Sequence, residues 1–353
     1  MVKPIYKIPS MAEVENTPWN GRKVVSTFSG CGGSCLGYRM AGYKVVYANE
    51  FISAARKVYK LNHPDSYLDS RDIRKVTPED ILFNTNLSVG EIDIFDGSPP
   101  CADFSSAGTR QAGWGREKKY SDTVQRVDDL FYEYVRLVDG LKPKVFVAEN
   151  VDGLVRGKAK GYFKKIIKAL TGCGYKVRCK LIDAQWLGVP QSRKRTIFIG
   201  VRSDLSKHPQ YPQPLEYQYT IGEAVKGLDY TGEEKSFLKE GSLGYKYWMN
   251  CKAGESFDKG SERYANLHAW FTHKKLSPLK VSSCILTRLS MYHWLEPRLL
   301  TISEIKRLSS FPDDFKLVGE FPKKWERIGR AVPPLMMKRV AETINEKVLL
   351  GTP

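Results

Sequence analysis

A cysteine stands in the segment Gly97-Ser98-Pro99-Pro100-Cys101-Ala102-Asp103-Phe104-Ser105, just past Ile92-Asp93-Ile94-Phe95, an apolar run that reads as a strand. Structural cysteines favour buried elements, whereas a thiol in a loop shaped by proline and glycine has the setting of a nucleophile. Two other segments carry groups that could serve it. Glu149-Asn150-Val151 follows the strand-like Val145-Phe146-Val147-Ala148, and a carboxyl at such a strand end suits proton transfer. Gln191-Ser192-Arg193-Lys194-Arg195-Thr196 enters another strand, and its period-two alternation predicts Arg193 and Arg195 on one face. The plain alternative for that last segment is a solvated basic edge.

A second kind of site is written earlier in the chain. Phe28-Ser29-Gly30-Cys31-Gly32-Gly33 follows Val24-Val25-Ser26-Thr27, and its small residues allow a cofactor to approach the backbone. Asn49-Glu50 closes the next strand about 20 residues on, where an acid suits a ribose diol. Asp72-Ile73 offers an acceptor for an adenine amine and an apolar ring contact. Cys35 stands where G-x-G-x-x-G has its third glycine, which disfavours a nicotinamide enzyme. Taken alone, the glycine segment is weak evidence, its plain alternative being a structural turn with no ligand.

The elements that must position these groups are short β-branched runs alternating with helix-like stretches such as Ser53 to Leu61 and Leu130 to Val138. That rhythm predicts an α/β fold with a doubly wound, mostly parallel, Rossmann-like sheet, whose ligands sit beyond the carboxyl ends of the strands. After Val201 the rhythm breaks into a Tyr-, Gly-, Pro- and Lys-rich stretch, read as a second, smaller, irregular domain. The expected division is residues 1–201, 202–280 and 281–353, the last returning to the first domain. Met336, Val340, Ile344 and Val348 recur at spacing four and predict a C-terminal amphipathic helix.

The chain has 353 residues, 42% hydrophobic and 27% charged, so a packed core is within reach and disorder is excluded. Its 56 Lys and Arg against 39 Asp and Glu give a net charge of +17, which favours a polyanionic partner. Seven cysteines without a C-x-x-C pair fit reduced thiols rather than disulfides or a zinc site. No apolar run of about 18 residues and no apolar leader occur, so a soluble cytoplasmic protein without a membrane role is expected.

Together these motifs resemble the DNA (cytosine-5)-methyltransferase family. Phe-x-Gly-x-Gly-Gly, Pro-Cys with Phe-Ser, Glu-Asn-Val, Gln-x-Arg-x-Arg and Gly329-Arg330-Ala331-Val332-Pro333-Pro334 stand in that family's order. The likeness covers Lys23 to Val201 and Val281 to Val348, with a variable target-recognition region between. It implies that Cys101 adds to C6 of a cytosine, that Glu149 serves N3, and that Arg195, supported by Arg193, holds O2 and favours the thiolate. It implies S-adenosylmethionine held by Phe28, Gly30, Cys31, Gly32 and Gly33, by Asn49, Glu50, Asp72 and Ile73, and by Pro100, Leu130, Arg330 and Ala331. It implies double-stranded DNA as partner with the target base flipped out of the stack, a monomer as sufficient, and a restriction endonuclease as possible companion. A tRNA branch shares these motifs but carries a Cys-Phe-Thr signature that is absent here. A silent DNA-binding module is disfavoured by the joint presence of Cys101, Glu149 and Arg195.

One residue departs from the family pattern. Arg330 replaces a small polar residue that the resemblance places beside the transferred group. A guanidinium near a sulfonium is repelled by on the order of 4 kcal/mol at about 4 Å and an effective dielectric near 20. A carboxylate on the transferred carbon would reverse that sign. The expectation is therefore carboxy-S-adenosylmethionine as donor and 5-carboxymethylcytosine as product, the alternative being plain methylation with Arg330 turned to a DNA phosphate or an acidic neighbour. A lesser departure is Ala102, where many members have Gln.

Overall fold

The computed structural model describes residues 3–100, 118–120, 123–125, 129–155, 160–259 and 272–351. Cys101 and Ala102 therefore lie outside the described residues. The chain forms two units, one of residues 13–183, 194–213 and 334–353, the other of residues 1–12, 184–193 and 214–333.

The first unit is built on a sheet of β1 (Lys23–Thr27), β2 (Lys44–Asn49), β3 (Tyr67–Asp69), β4 (Ile94–Gly97), β7 (Val145–Val151), β8 (Tyr175–Asp183) and β9 (Lys194–Arg202). A separate antiparallel ribbon pairs β5 (Lys118–Tyr120) with β6 (Thr123–Gln125). The sheet order is β3-β2-β1-β4-β7-β9-β8. All pairings are parallel except those of β9, which runs antiparallel to both neighbours. This is the doubly wound, mostly parallel α/β sheet that the alternating runs predict. Its central strands β1, β4 and β7 are buried on both faces, which is why they read as apolar runs.

A short helix α1 (Met11–Glu15) precedes β1, and α2 (Gly33–Met40), α3 (Ser53–Asn62), α4 (Pro78–Thr85), α5 (Leu130–Leu141) and α6 (Lys160–Gly172) connect the strands. Phe131, Tyr134, Leu137 and Leu141 of α5 pack with Phe95, Phe146 and Phe198 of the sheet into one apolar core. β7 runs three residues past the end expected from its apolar run. Its antiparallel pairing with β9 continues from Val145↔Val201 to Val151↔Arg195, so Glu149 lies inside the strand.

The other unit carries the N-terminal arm, α7 (Ile221–Val225), α8 (Leu243–Asn250), α9 (Ile302–Leu308), α10 (Phe321–Arg330) and a small sheet of β10 (Glu255–Ser256), β11 (Lys274–Lys275) and β12 (Met291–Tyr292). Its regular elements are short, and side-chain bonds join segments far apart in the chain. Tyr6 donates to Arg307 O at 2.8 Å, Lys3 pairs with Glu223, and buried Arg298 forks onto Glu304 at 2.9 and 3.0 Å. The chain then re-enters the first unit as α11 (Pro334–Ile344), where Met336, Val340 and Ile344 are buried as their spacing predicts. A π turn over Asn345–Leu349 follows and keeps Val348 inside. A Cβ on Gly37 would sit 2.6 Å from Pro334 O, so α2 and α11 meet closely only because that residue is glycine. Among the described residues no helix is long and apolar enough to cross a membrane.

His63, after α3, lies under the glycine segment: a Cβ on Gly32 would fall 2.2 Å from its Nε2. Burial, with the Arg39 guanidinium 3.2 Å from Nδ1, brings the imidazole pKa down to about 3. The unfolded imidazole takes its proton near pH 6.5, so stability from this residue falls as pH drops from about 6.5 towards 3. Urea midpoints of wild type and His63→Gln at pH 7.5 and 5 should show a steeper acid loss in wild type; parallel losses would refute this account.

Candidate active site

β1 and β4 are neighbours, yet the chain leaves β1 towards β2 and leaves β4 towards β7, so the loops beyond their ends diverge around a switch point. The glycine segment follows β1 and Ser98-Pro99-Pro100 follows β4. Phe28 takes φ 52° and Gly30 φ 58°, and Gly32, at φ 89°, caps α2. A non-glycine residue in the left-handed region is uncommon, and Phe28 marks a tightly held turn. Glu50 fastens that turn from the end of β2: its carboxylate accepts from Gly30 N at 2.7 Å and from Ile52 N at 2.6 Å. A carboxylate can accept further bonds, so the same group can also meet a ribose diol.

The rest of the predicted nucleoside site divides between contact and support. Asn49 is buried and donates to Arg71 O at 2.9 Å, a backbone tie rather than a surface for a ligand. Cys31 and Ile73 are buried as well, and Ile73 opens a 3-10 turn capped by Asp72. Arg74, which the sequence reading missed, pairs with Asp72 at 3.1 Å and with Asp129 at 2.7 Å. It thereby brings Asp72 beside the start of α5, where Leu130 stands. The residues present thus fit an adenosyl group: a cradle closed to any Cβ at Gly32, an acid at the second strand end, and an apolar and acidic pair at the third.

On the other side of the switch point, Asn150 donates to Pro99 O at 3.1 Å and accepts from Val151 N at 2.9 Å. This fixes the chain two residues before Cys101. Glu149 points with the alternate face of β7, and its carboxylate meets Arg195 Nε at 2.6 Å. The register explains the pair. Arg195 lies opposite Val151, two residues from Glu149's own partner, the diagonal relation in which long side chains on one face touch. Both side chains are largely covered, at 11% and 14% exposure, so the attraction is weakly screened.

Arg193 does not share that face. β9 begins at Lys194, and Arg193 belongs to the other unit, where its guanidinium donates to Ile285 O at 3.1 Å and Gly329 O at 3.0 Å. The alternation that would align it with Arg195 stops one residue too soon. Gln191 is its companion, bonded to Ser309 Oγ and Ile285 N. Arg330 closes α10, with Ala331 as its C-cap, and pairs with Glu326 at 2.9 Å, the acidic-neighbour arrangement. Glu326 also receives Arg327 at 3.0 Å and Lys323 at 3.9 Å.

Other thiols are poor nucleophiles. Burial pushes Cys35 and Cys179 up to about 12, and Cys173 and Cys251 to about 11, so these four stay protonated at neutral pH.

Comparison with known proteins shows the family and the fold. A family model described as "C-5 cytosine-specific DNA methylase" matches residues 22–346. The chain is 31% identical to the type II methyltransferase M.NgoFVII of Neisseria gonorrhoeae, over 93% of this chain and 88% of that protein. It is 30% identical to M1.HphI of Haemophilus parahaemolyticus, over 91% and 86%. Among solved structures, Spodoptera frugiperda DNMT2 superposes with a TM-score of 0.66 at 16% identity, covering 92% of this chain and all of that one, a likeness of fold.

Asn150→Ala should release Pro99 without touching the glycine segment. We expect turnover to fall by about tenfold while the donor Kd, read by calorimetry, stays within twofold. An unchanged turnover would remove Asn150 from the site.

Proposed function

Because this chain belongs to the C-5 cytosine-specific DNA methylase family, we propose that it transfers a one-carbon group from a sulfonium donor to C5 of cytosine in duplex DNA. The observation that carries the reading is the Glu149–Arg195 pair, 2.6 Å apart across β7 and β9, beside the Asn150 that holds the approach to Cys101. Cytosine C5 is a poor nucleophile until a group adds at C6, and the Cys101 thiolate supplies that addition. As the sulfur–C6 bond forms, negative charge moves onto the ring. Glu149 meets it at N3 by giving or sharing a proton, and Arg195 meets it at O2. S-adenosylmethionine, when bound, supplies the electrophilic carbon; Phe28, Gly30, Gly32, Gly33, Glu50, Asp72, Ile73 and Leu130 would hold it. After C5 takes that carbon, the C5 proton leaves and the C6–sulfur bond breaks, restoring Cys101.

Flipping the base out of a duplex costs a few kcal/mol, and a net charge of +17 favours the phosphates that help repay it. We assign reading of the target sequence to the unit that contains residues 214–333, and treat one chain as a complete enzyme. A companion endonuclease with the same recognition site belongs to this reading, as does a role inside a prokaryotic or phage-infected cell.

A second reading concerns the group delivered. Arg330 closes α10 and meets Glu326, which Arg327 and Lys323 also meet. A guanidinium at this position suits a donor with a carboxylate on the transferred carbon, where a charge-assisted bond contributes about 1.5–3 kcal/mol. Nucleoside mass spectrometry after incubation of duplex DNA with S-adenosylmethionine, or with its carboxy derivative, separates the cases. We expect a C5-alkylated cytosine from wild type and none from Cys101→Ser. 5-Carboxymethylcytosine from the carboxy donor, lost in Arg330→Asn, supports the second reading; 5-methylcytosine alone discards it. Equal or greater turnover on tRNA would redirect the substrate to RNA.

A further inference from the structure

Asp96 is a buried acid that the mechanism above does not use. It is 1% exposed on β4, paired in register with Ser26 of β1. One carboxylate oxygen accepts from Ser26 Oγ at 3.1 Å and from Ser34 Oγ at 2.9 Å, and the other from Tyr38 Oη at 3.2 Å. Ser29, in the glycine segment, donates in turn to Ser26 Oγ at 3.0 Å. All three direct donors are hydroxyls, and among the described residues no ion pair involves Asp96. A buried carboxylate without a cation is costly to keep, and a purely structural strand position would take an apolar residue.

The geometry gives the acid a task. Ser34 and Tyr38 lie one turn apart on one face of α2, so the carboxylate sits against the side of that helix. Ser26 and Ser29 belong to the end of β1 and its turn, whereas Asp96 itself lies three residues before Pro99. One group thus joins the segment that cradles the donor to the segment that leads into Cys101. We propose that Asp96 is a positioning residue that holds the donor cradle and the Ser98-Pro99-Pro100 segment at a fixed separation, and so sets the approach of the transferred carbon to C5. This rests on the reading of those two segments given above.

The surroundings fit a shared, adjustable acceptor. Facing Asp96 are Ser26 from β1, Ser34, Cys35 and Tyr38 from α2, Tyr134 from α5 and Glu149 from β7. Burial pushes its carboxyl up to about 7, with the hydroxyl bonds pulling the other way. Hydroxyls can donate or accept, so an amide of the same shape can keep the junction. An apolar side chain cannot.

The test uses the full chain with duplex DNA and S-adenosylmethionine, measuring donor Kd by calorimetry, single-turnover transfer and DNA Kd. Asp96→Leu should weaken donor binding and slow transfer by tenfold or more each, with DNA Kd within twofold. Asp96→Asn should recover both to within threefold. Ser34→Ala, a milder change that covers the case of an unfolded Asp96→Leu, should cost about threefold in transfer. If folded Asp96→Leu, or Ser34→Ala in its place, keeps wild-type donor Kd and transfer, the role is wrong, even where the melting temperature drops. Wild type is run alongside. Absence of transfer there defeats the functional reading, whereas active wild type with unaffected variants defeats only the role of Asp96.

Discussion

β1 lies between β2 and β4, and because the chain departs from β1 and β4 to opposite sides, neither loop can cover the other's strand end. The meeting of the donor cradle with the approach to Cys101 follows from this pairing. The glycine segment and the Pro99-Pro100 segment are brought together by four register pairs between two short strands, from Val24↔Ile94 to Thr27↔Gly97. The connections that separate them in sequence need only return to the sheet.

The antiparallel β9 adds what a wholly parallel sheet would not. A parallel neighbour of β7 would reach the ligand end only at its own carboxyl terminus. β9 runs the other way, so its first residues arrive there, and Arg195 is its second. A basic residue at a strand's beginning thereby reaches a carboxylate near another strand's end. The same reversal ends the shared alternation at Lys194 and leaves Arg193 to the second unit.

Much of the first unit was legible in the sequence because its signals are local. β-branched runs, a glycine segment after a strand and an acid closing the next strand each report on a few adjacent residues, and β1, β2, β4 and β7 fall where those runs stand. What escaped was set by partners far along the chain. The extension of β7 through Glu149 depends on residues 195–201, and the bond from Asn150 to Pro99 spans 51 positions. Asp96 reads as one more polar residue at a turn until Ser26, Ser34 and Tyr38 are seen around it. Cys101 lies outside the described residues, so its role rests on its neighbours and on the protonated state of four other thiols.

The close seat of α11 on Gly37 has a consequence for how the protein is made. The unit bearing the sheet takes residues 334–353 from beyond the other unit, so during synthesis it must wait with one helix missing while residues 214–333 emerge. At ribosomal speeds of about 5–20 residues per second that interval lasts several seconds. A nascent chain on its polysome therefore exposes the apolar floor that α11 later covers, and must keep it from other nascent chains until residues 334–353 emerge.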